Sequence, residues 1–309
     1  MSEWKKVKLG NVCDVFTGKK DVNQTDASGK YLFFSCSPDP YRSNDYIFDG
    51  KAIIVAGNGS YTGRTSYYDG RFDLYQRTYA CVAKSDINDV DIRYIYYYMK
   101  AFFEPSHMGG KRGAAIPYIV KGNLTGFEVA FPPYQKQMQL AKILFDYDAA
   151  IANCRKQIAL LEEAAMRLYR EWFGDGKGEK KRIGDFVRIK RGKVITKANA
   201  GVGSVPVIAA GIAPAYLNDK ANVFGPSVTI SASGANAGYV WFHPEDIWAS
   251  DCSYVSRSES PYVYFCYAML LSKQKEISKQ QKGSAQPHVH ASDVEGLAFG
   301  APRQAWLNL

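Results

Sequence analysis

The sequence predicts a mixed α/β (α+β) fold in which two similar domains are joined by one long helix of coiled-coil type. The first observation is an internal repeat. Leu9-Gly10 before Gly18-Lys19 recurs as Ile183-Gly184 before Gly192-Lys193, at a constant offset of 174 residues (183 − 9 and 192 − 18). The second is a heptad pattern between the two copies. Because the repeat is far longer than a solenoid unit, each copy should be a domain.

The repeat divides the 309 residues into four segments. We predict a first domain at 1–131, a spacer helix at 132–176, a second domain at 177–302, and the truncated start of a second spacer at 303–309. The hydrophobic content of 46% provides for two cores. The net charge of +9, from 39 Lys and Arg against 30 Asp and Glu, favours nucleic acid over membrane as the partner.

Short apolar runs bounded by Gly, Asn and Asp predict the strands of each copy. They lie at 32–34, 52–56 and 79–82 in the first copy, and at 206–209, 228–231 and 239–242 in the second. One helix is predicted at 91–103, and 261–272 matches it. Such a mixture implies a curved, mostly antiparallel or mixed sheet.

A glycine-rich stretch recurs between strands, as Asn58 to Gly63 and as Ser233 to Gly238. It imitates a phosphate-binding loop, but its first glycine is missing and Arg64 replaces the required lysine. We interpret the stretch as a tight turn that both copies need.

The long helix is predicted from about Tyr134 to Phe173, a length of roughly 60 Å. Pro132-Pro133 should open it and Gly174 end it, with a polar hinge at Lys177–Lys181. Apolar residues alternate at spacings of three and four along one stripe, called the seam below. The seam consists of Leu144, Tyr147, Ile151, Cys154, Ile158, Leu161, Ala165, Leu168 and Trp172.

Composition also argues against several classes of protein. The six cysteines form no CxxC pair, and no apolar leader or membrane-length stretch is present, so we expect a cytoplasmic protein. We expect no cofactor and no metal, and interpret His288, His290 and Asp293 as loop polarity or DNA contact. A methyltransferase or nuclease fused to its own reader would need a cofactor loop or acidic cluster, and we find neither.

With these motifs in order, the chain resembles the specificity subunit of type I restriction-modification enzymes. The resemblance rests on Trp4 with the 9–19 motif, on 53–63, on Phe131-Pro132-Pro133 before the heptads, and on 283–287 before Asp293-Val294. It implies two target recognition domains, each reading half of a bipartite, asymmetric duplex DNA sequence, with the helix as spacer. It also implies that the subunit is not itself catalytic, and that methylation subunits modify adenine while restriction subunits cut.

The sequence departs from that family in one respect, because complete members carry a second helix that packs antiparallel on the first. An apolar seam of this length should not stay bare. We expect another chain to cover it, either a second copy in a homodimer or a methylation subunit. The alternatives are a DNA-binding module outside restriction and a truncated, non-functional specificity subunit.

Duplex binding requires cations for phosphates and forked donors for base edges. The candidates lie in glycine-rich or turn-rich stretches, and the loop 109–113 is the best of them because it carries two cations on a flexible backbone. In the first domain they are Lys19, Lys20, Arg42, Arg64, Arg71, Arg77, Lys111 and Arg112. In the second domain they are Lys190, Arg191, Lys193, Lys197, Lys282, Gln286 and His288.

Overall fold

The computed structural model of the chain describes residues 4–103, 118–174, 177–283 and 287–302. The chain divides into two compact units, Met1–Cys154 (unit 1) and Arg155–Leu309 (unit 2). Within the described ranges, no helix is both long and apolar enough to cross a membrane.

Unit 1 contains eight strands and three helices among its described residues before the long helix. The strands are β1 (Lys5–Lys8), β2 (Cys13–Thr17), β3 (Tyr31–Phe34), β4 (Tyr41–Ser43), β5 (Phe48–Ala56), β6 (Thr65–Leu74), β7 (Thr78–Ala83) and β8 (Glu128–Phe131). The helices are α1 (Leu9–Val12), α2 (Ile92–Phe102) and α3 (Lys121–Thr125), with a 3-10 turn at Val22–Gln24.

Six of these strands form a mixed sheet of order β2-β7-β5-β6-β3-β4, in which β3 and β6 are the parallel pair. A separate antiparallel ladder joins β1 to β8.

The sheet of unit 1 curls until the ends of β2 and β6 meet, although two strands separate them in the sheet. Gly18 follows β2 and lies so close to Leu74 that an added Cβ would be 1.7 Å from the Leu74 carbonyl oxygen. Beyond it, Lys20 forms a parallel bridge with Tyr75. The predicted curved, mixed sheet is thereby confirmed.

Curling gives the sheet two differently packed faces. One face encloses a core that contains Ile54, Phe72 and Leu74. The other face, with Ile53 and Val55, packs with the helix α2 in a second core. Alternation along β5 sends successive side chains to opposite faces, so one strand supplies both cores.

Unit 2 repeats this plan with shorter strands. They are β9 (Glu179–Arg182), β10 (Lys190–Arg191), β11 (Val205–Ile208), β12 (Tyr216–Asn218), β13 (Ser227–Ser231), β14 (Val240–His243), β15 (Trp248–Ala249), β16 (Cys252–Ser256) and β17 (Ala298–Ala301). The helices are α5 (Ile183–Phe186), α6 (Val263–Ser272), α7 (Gln274–Ser278) and α8 (Ala291–Glu295), numbered after the long helix α4 (Tyr134–Phe173), with a 3-10 turn at Lys197–Asn199.

The strand orders of unit 2 are β10-β16-β13-β14 and β12-β11-β15. They match unit 1 strand for strand if β14 and β15 are the two halves of β6, and β11 is parallel to β15 as β3 is to β6. The ladder β9–β17 likewise corresponds to β1–β8. The internal repeat is therefore a repeat of topology.

The long helix α4 has the predicted bounds, and its 40 residues contribute to both units. In unit 1, Gln137 is buried and its amide donates to the Pro132 carbonyl oxygen at 3.0 Å. In unit 2, the Tyr169 ring packs 5.6 Å from that of Phe265. All nine side chains of the seam are exposed in this structure.

One prediction for this region is wrong. Lys177–Lys181 was expected to be a hinge, but Glu179–Arg182 forms the strand β9, paired with β17. All four of its side chains are exposed, so the strand has none of the apolar alternation by which a half-buried strand is recognised.

Candidate nucleic-acid interface

A tight turn follows the central strand of each sheet. Gly59 and Gly63 both have a φ of +84°, and Gly234 and Gly238 have φ values of +74° and +87°. In each turn the second glycine amide donates to a carbonyl of the preceding strand at 2.8 Å. Left-handed backbone of this kind favours glycine, so the predicted turn is confirmed in both units.

A second segment pairs with each turn. Tyr118 forms a bridge with Asn58, and His288 forms the corresponding bridge with Ser233. His288 also exchanges two backbone hydrogen bonds of 2.9 Å with Lys282, so two of the predicted residues are neighbours.

Three predicted residues, Lys111, Arg112 and Gln286, lie outside the described residues. Their contribution to DNA binding stays a prediction.

Two of the predicted DNA-binding cations of unit 1 are held in ion pairs. The Lys20 Nζ lies 2.7 Å from an Asp73 carboxylate oxygen and 2.9 Å from one of Asp45. Burial acts to lower the pKa of Lys20, but the two carboxylates raise it overall. The Arg71 guanidinium lies 2.8 Å from Asp49, whose hydrogen bond raises the pKa of Arg71. These pairs offset the positive charge that would attract a phosphate.

The other predicted DNA-binding cations of unit 1 that the structure describes are more available to a phosphate. Lys19, Arg64 and Arg77 are exposed, and their side chains make no hydrogen bond or ion pair with any residue that the structure describes. Arg42 is also exposed, and among the described residues its side chain donates only to the Lys30 carbonyl oxygen, at 3.4 Å. An exposed, unpaired cation keeps its full attraction for an anion.

Arg64 and Arg77 lie on either side of the C-terminal end of β5. The Ala56 amide donates to the Arg64 carbonyl oxygen and the Gly57 amide donates to that of Arg77, both at 3.0 Å. Arg64 immediately precedes β6 and Arg77 immediately precedes β7, and these two strands neighbour β5 on opposite sides. With neighbouring strands about 4.8 Å apart, the two backbones lie roughly 10 Å from each other.

The cations of unit 2 divide in the same way. The Lys190 Nζ lies 2.8 Å from Glu259. Burial alone would raise the pKa of the Glu259 carboxyl, but Lys190 and the hydroxyls of Ser256 and Ser258 hold that pKa at about 2. The predicted cations Arg191, Lys193 and Lys197 are exposed and form no ion pair with a described residue.

Lys282 is also paired, since its Nζ lies 2.6 Å from an Asp293 carboxylate oxygen. The parts of the chain that the structure describes contain no group of three His, Cys, Asp or Glu residues that could hold a metal ion. The interpretation of His288 as loop polarity or DNA contact stays a prediction.

The structure adds four residues that the sequence analysis missed. Tyr61 and Tyr118 are about half exposed beside the turn of unit 1, and Tyr239 and Asp251 adjoin the turn of unit 2. None of the four carries a positive charge, so a pattern of cations in the sequence does not reveal them. Comparing the two copies position by position around the glycines would have found Tyr239 opposite Arg64.

Comparison with known proteins agrees with this architecture. The family model described as "Type I restriction modification DNA specificity domain" matches residues 1–163 and 176–303. The type I restriction enzyme EcoDI specificity subunit of Escherichia coli is 35% identical over 170 residues, which cover 54% of this chain and 36% of that protein. The MjaVIII specificity subunit of Methanocaldococcus jannaschii is 26% identical over 196 residues, covering 58% of this chain and 44% of that protein.

A solved structure with the same fold is the S subunit of a type I restriction-modification system from M. genitalium. Its TM-score is 0.64 at 18% identity, covering 96% of this chain and 84% of that one. At that identity the likeness shows the fold alone. The alignments span less than half the length of the two curated relatives given above. Because the family model matches both repeats, the chain belongs to the type I restriction-modification DNA specificity family.

Proposed function

We propose that this chain is the DNA-recognition subunit of a type I restriction-modification system. Each unit reads one half of a bipartite, asymmetric duplex target. The chain itself has no catalytic role, and partner subunits methylate adenine or cut the DNA. The curated relatives, named as specificity subunits of such enzymes, support this proposal.

The observation that carries the proposal is one backbone plan used twice with different side chains. The strand order and the glycine turns agree between the units. The residues beside the turns differ, with Arg64 and Arg77 in unit 1 and Tyr239 and Asp251 in unit 2. Two readers of equal architecture and unequal chemistry suit an asymmetric target in two parts.

We further propose that the seam of α4 receives a methylation subunit or a second copy of this chain. All nine seam residues are exposed, which supports an association surface. The net charge of +9 suits the DNA partner.

The test is selection of random duplexes by the full chain, followed by methylation of the selected DNA after a type I methylation subunit is added. We expect two enriched half-sites at a fixed spacing, and adenine methylation that requires both proteins. Scrambling either half-site should abolish specific binding, and the remaining affinity should fall steeply with salt. Enrichment of a single site without methylation would favour a DNA-binding module outside restriction.

Failure to enrich any sequence would contradict the proposal. A matched control is the methylation subunit alone on the same duplexes. It separates recognition by this chain from any background preference of its partner.

A further inference from the structure

Two positions beside the turn are equivalent in the two units by their backbone bonds. In unit 1 the amides of Ala56 and Gly57 donate to the carbonyls of Arg64 and Arg77. In unit 2 the amide of Ser231 donates to the Tyr239 carbonyl at 2.9 Å, and that of Ala232 to the Asp251 carbonyl at 3.3 Å. Arg64 therefore corresponds to Tyr239, and Arg77 to Asp251.

The side chains at these equivalent positions differ between the units in their capacity to donate and accept hydrogen bonds. Each arginine offers a rigid fork of donors and no acceptor, whereas an aspartate carboxylate offers acceptors only. The Asp251 carboxylate is half-buried and accepts a hydrogen bond from the Ser233 hydroxyl, which orients it beside the turn. Tyr239 is exposed and carries a hydroxyl that can donate or accept.

At a nearby position both units carry a lysine. Lys19 and Lys193 each follow a glycine that lies against the backbone of another strand, namely Gly18 and Gly192. Both lysines are exposed and unpaired among the described residues. A contact that is the same in both units cannot distinguish two half-sites, but it can hold a phosphate in both.

From this comparison we propose that Arg64 and Arg77 determine the specificity of unit 1 and that Asp251, with Tyr239, determines that of unit 2. Lys19 and Lys193 bind phosphate without regard to sequence. The proposal rests on the function proposed above and deepens it.

The chemistry of the side chains indicates which bases they read. The arginine fork matches the O6 and N7 acceptors of guanine in the major groove, and a carboxylate accepts from the N4 amino group of cytosine. We expect guanine on the strand that unit 1 contacts and cytosine on the strand that unit 2 contacts. The roughly 10 Å between Arg64 and Arg77 corresponds to about three base-pair steps of 3.4 Å, so the two arginines read different base pairs.

The test repeats duplex selection with the full chain carrying Arg64→Tyr and Arg77→Asp, the residues of unit 2. The expected result is loss of the guanine preference in one half-site, by roughly 10- to 100-fold, with the other half-site unchanged. The unchanged half-site reports that the protein is folded. The reciprocal variant, Tyr239→Arg with Asp251→Arg, should alter only the half-site that the first variant leaves intact.

Two further variants keep the test decisive. If the double variant does not bind, Arg64→Gln with Arg77→Gln avoids the added negative charge but replaces each fork of donors with an amide that matches adenine, so the guanine preference should still be lost. Lys19→Ala and Lys193→Ala should weaken binding equally for all sequences, and each should reduce the salt slope by about one.

A wild-type guanine preference that survives both arginine variants would overturn the assignment, as would a change of consensus in the lysine variants. Absence of any split consensus in the wild-type protein would instead refute the proposed function itself, and with it this inference.

Discussion

Gly18 and Gly192 recur because the chain passes against another backbone at both positions. A Cβ on Gly18 would lie 1.7 Å from the Leu74 carbonyl oxygen, and one on Gly192 would lie 2.4 Å from that of Ser250. Backbone cannot move aside as a flexible side chain can. The repeated glycine that reveals the duplication in the sequence is thus a requirement of sheet closure.

We predict that Gly18→Ala lowers the free energy of unfolding of unit 1 by about 3 kcal/mol, because the sheet must open to admit the methyl group. Chemical denaturation followed by circular dichroism measures this. The matched control is Gly122→Ala, since an added Cβ there meets no atom within 4 Å. That control should change the free energy by less than about 1 kcal/mol. Equal effects of the two substitutions would contradict a steric requirement for glycine at position 18.

His243 is a second residue whose environment dictates its chemistry. It is 1% exposed, and its Nε2 lies 2.9 Å from the Thr229 hydroxyl. Burial lowers the pKa of His243 to about 4. In the unfolded chain the pKa is about 6.5, so the unfolded state takes up the proton first as the pH falls.

The expected result is a loss of stability of unit 2 as the pH falls from about 6.5 to about 4, by about 3 kcal/mol in all. Above about pH 6.5, His243 is neutral in both the folded and the unfolded chain, so none of this stability is lost there. His243→Gln should flatten this pH dependence even if it lowers stability throughout. Denaturant midpoints of the wild type and the variant, measured from pH 7.5 to 4, test this, and an equal pH dependence of the two proteins would contradict it.

At the scale of elements, the long helix was the most predictable part of the fold. Its heptad spacing and flanking Pro132-Pro133 and Gly174 define both ends, because these signals are local in sequence. The predicted helices at 91–103 and 261–272 are confirmed as α2 and α6 within two residues. The strand β9 was missed because its pairing with β17 is made by sequence-distant backbone, without an apolar face.

Exposure of the seam gives a prediction about α4. Ile158→Lys with Leu161→Lys should change the free energy of unfolding of the isolated chain by less than about 0.5 kcal/mol per site, because both side chains are more than half exposed. The same change should abolish association with a methylation subunit or a second copy, measured as mass by light scattering.

The control for that experiment is Tyr169→Ala, on the helix face that packs in unit 2. Tyr169 is 5% exposed, and the substitution should cost about 3–5 kcal/mol of stability. A wild-type mass that remains that of a monomer at all concentrations, with and without the methylation subunit, would contradict the proposed use of the seam.

At the scale of the whole molecule, the repeated topology could be predicted from the sequence, but whether each cation is held in an ion pair could not. Lys20 is paired with Asp73, which is 53 residues away, and Lys282 is paired with Asp293, which is 11 residues away. Whether a lysine is available for DNA depends on such partners. The correspondence of Arg77 with Asp251 follows from the repeat offset of 174 residues (251 − 77), whereas that of Arg64 with Tyr239 requires an offset of 175 (239 − 64).

The ladders β1–β8 and β9–β17 have a mechanical consequence for the chain. In each unit the first strand pairs antiparallel with the last, so the chain leaves both strands from the same end, at Lys5 and Phe131 in unit 1 and at Glu179 and Ala301 in unit 2. Tension between those two points would break the cross-strand hydrogen bonds one after another, as in a zipper, rather than all together in shear. Each ladder would therefore yield at low force and open before the curled sheet behind it bears any load.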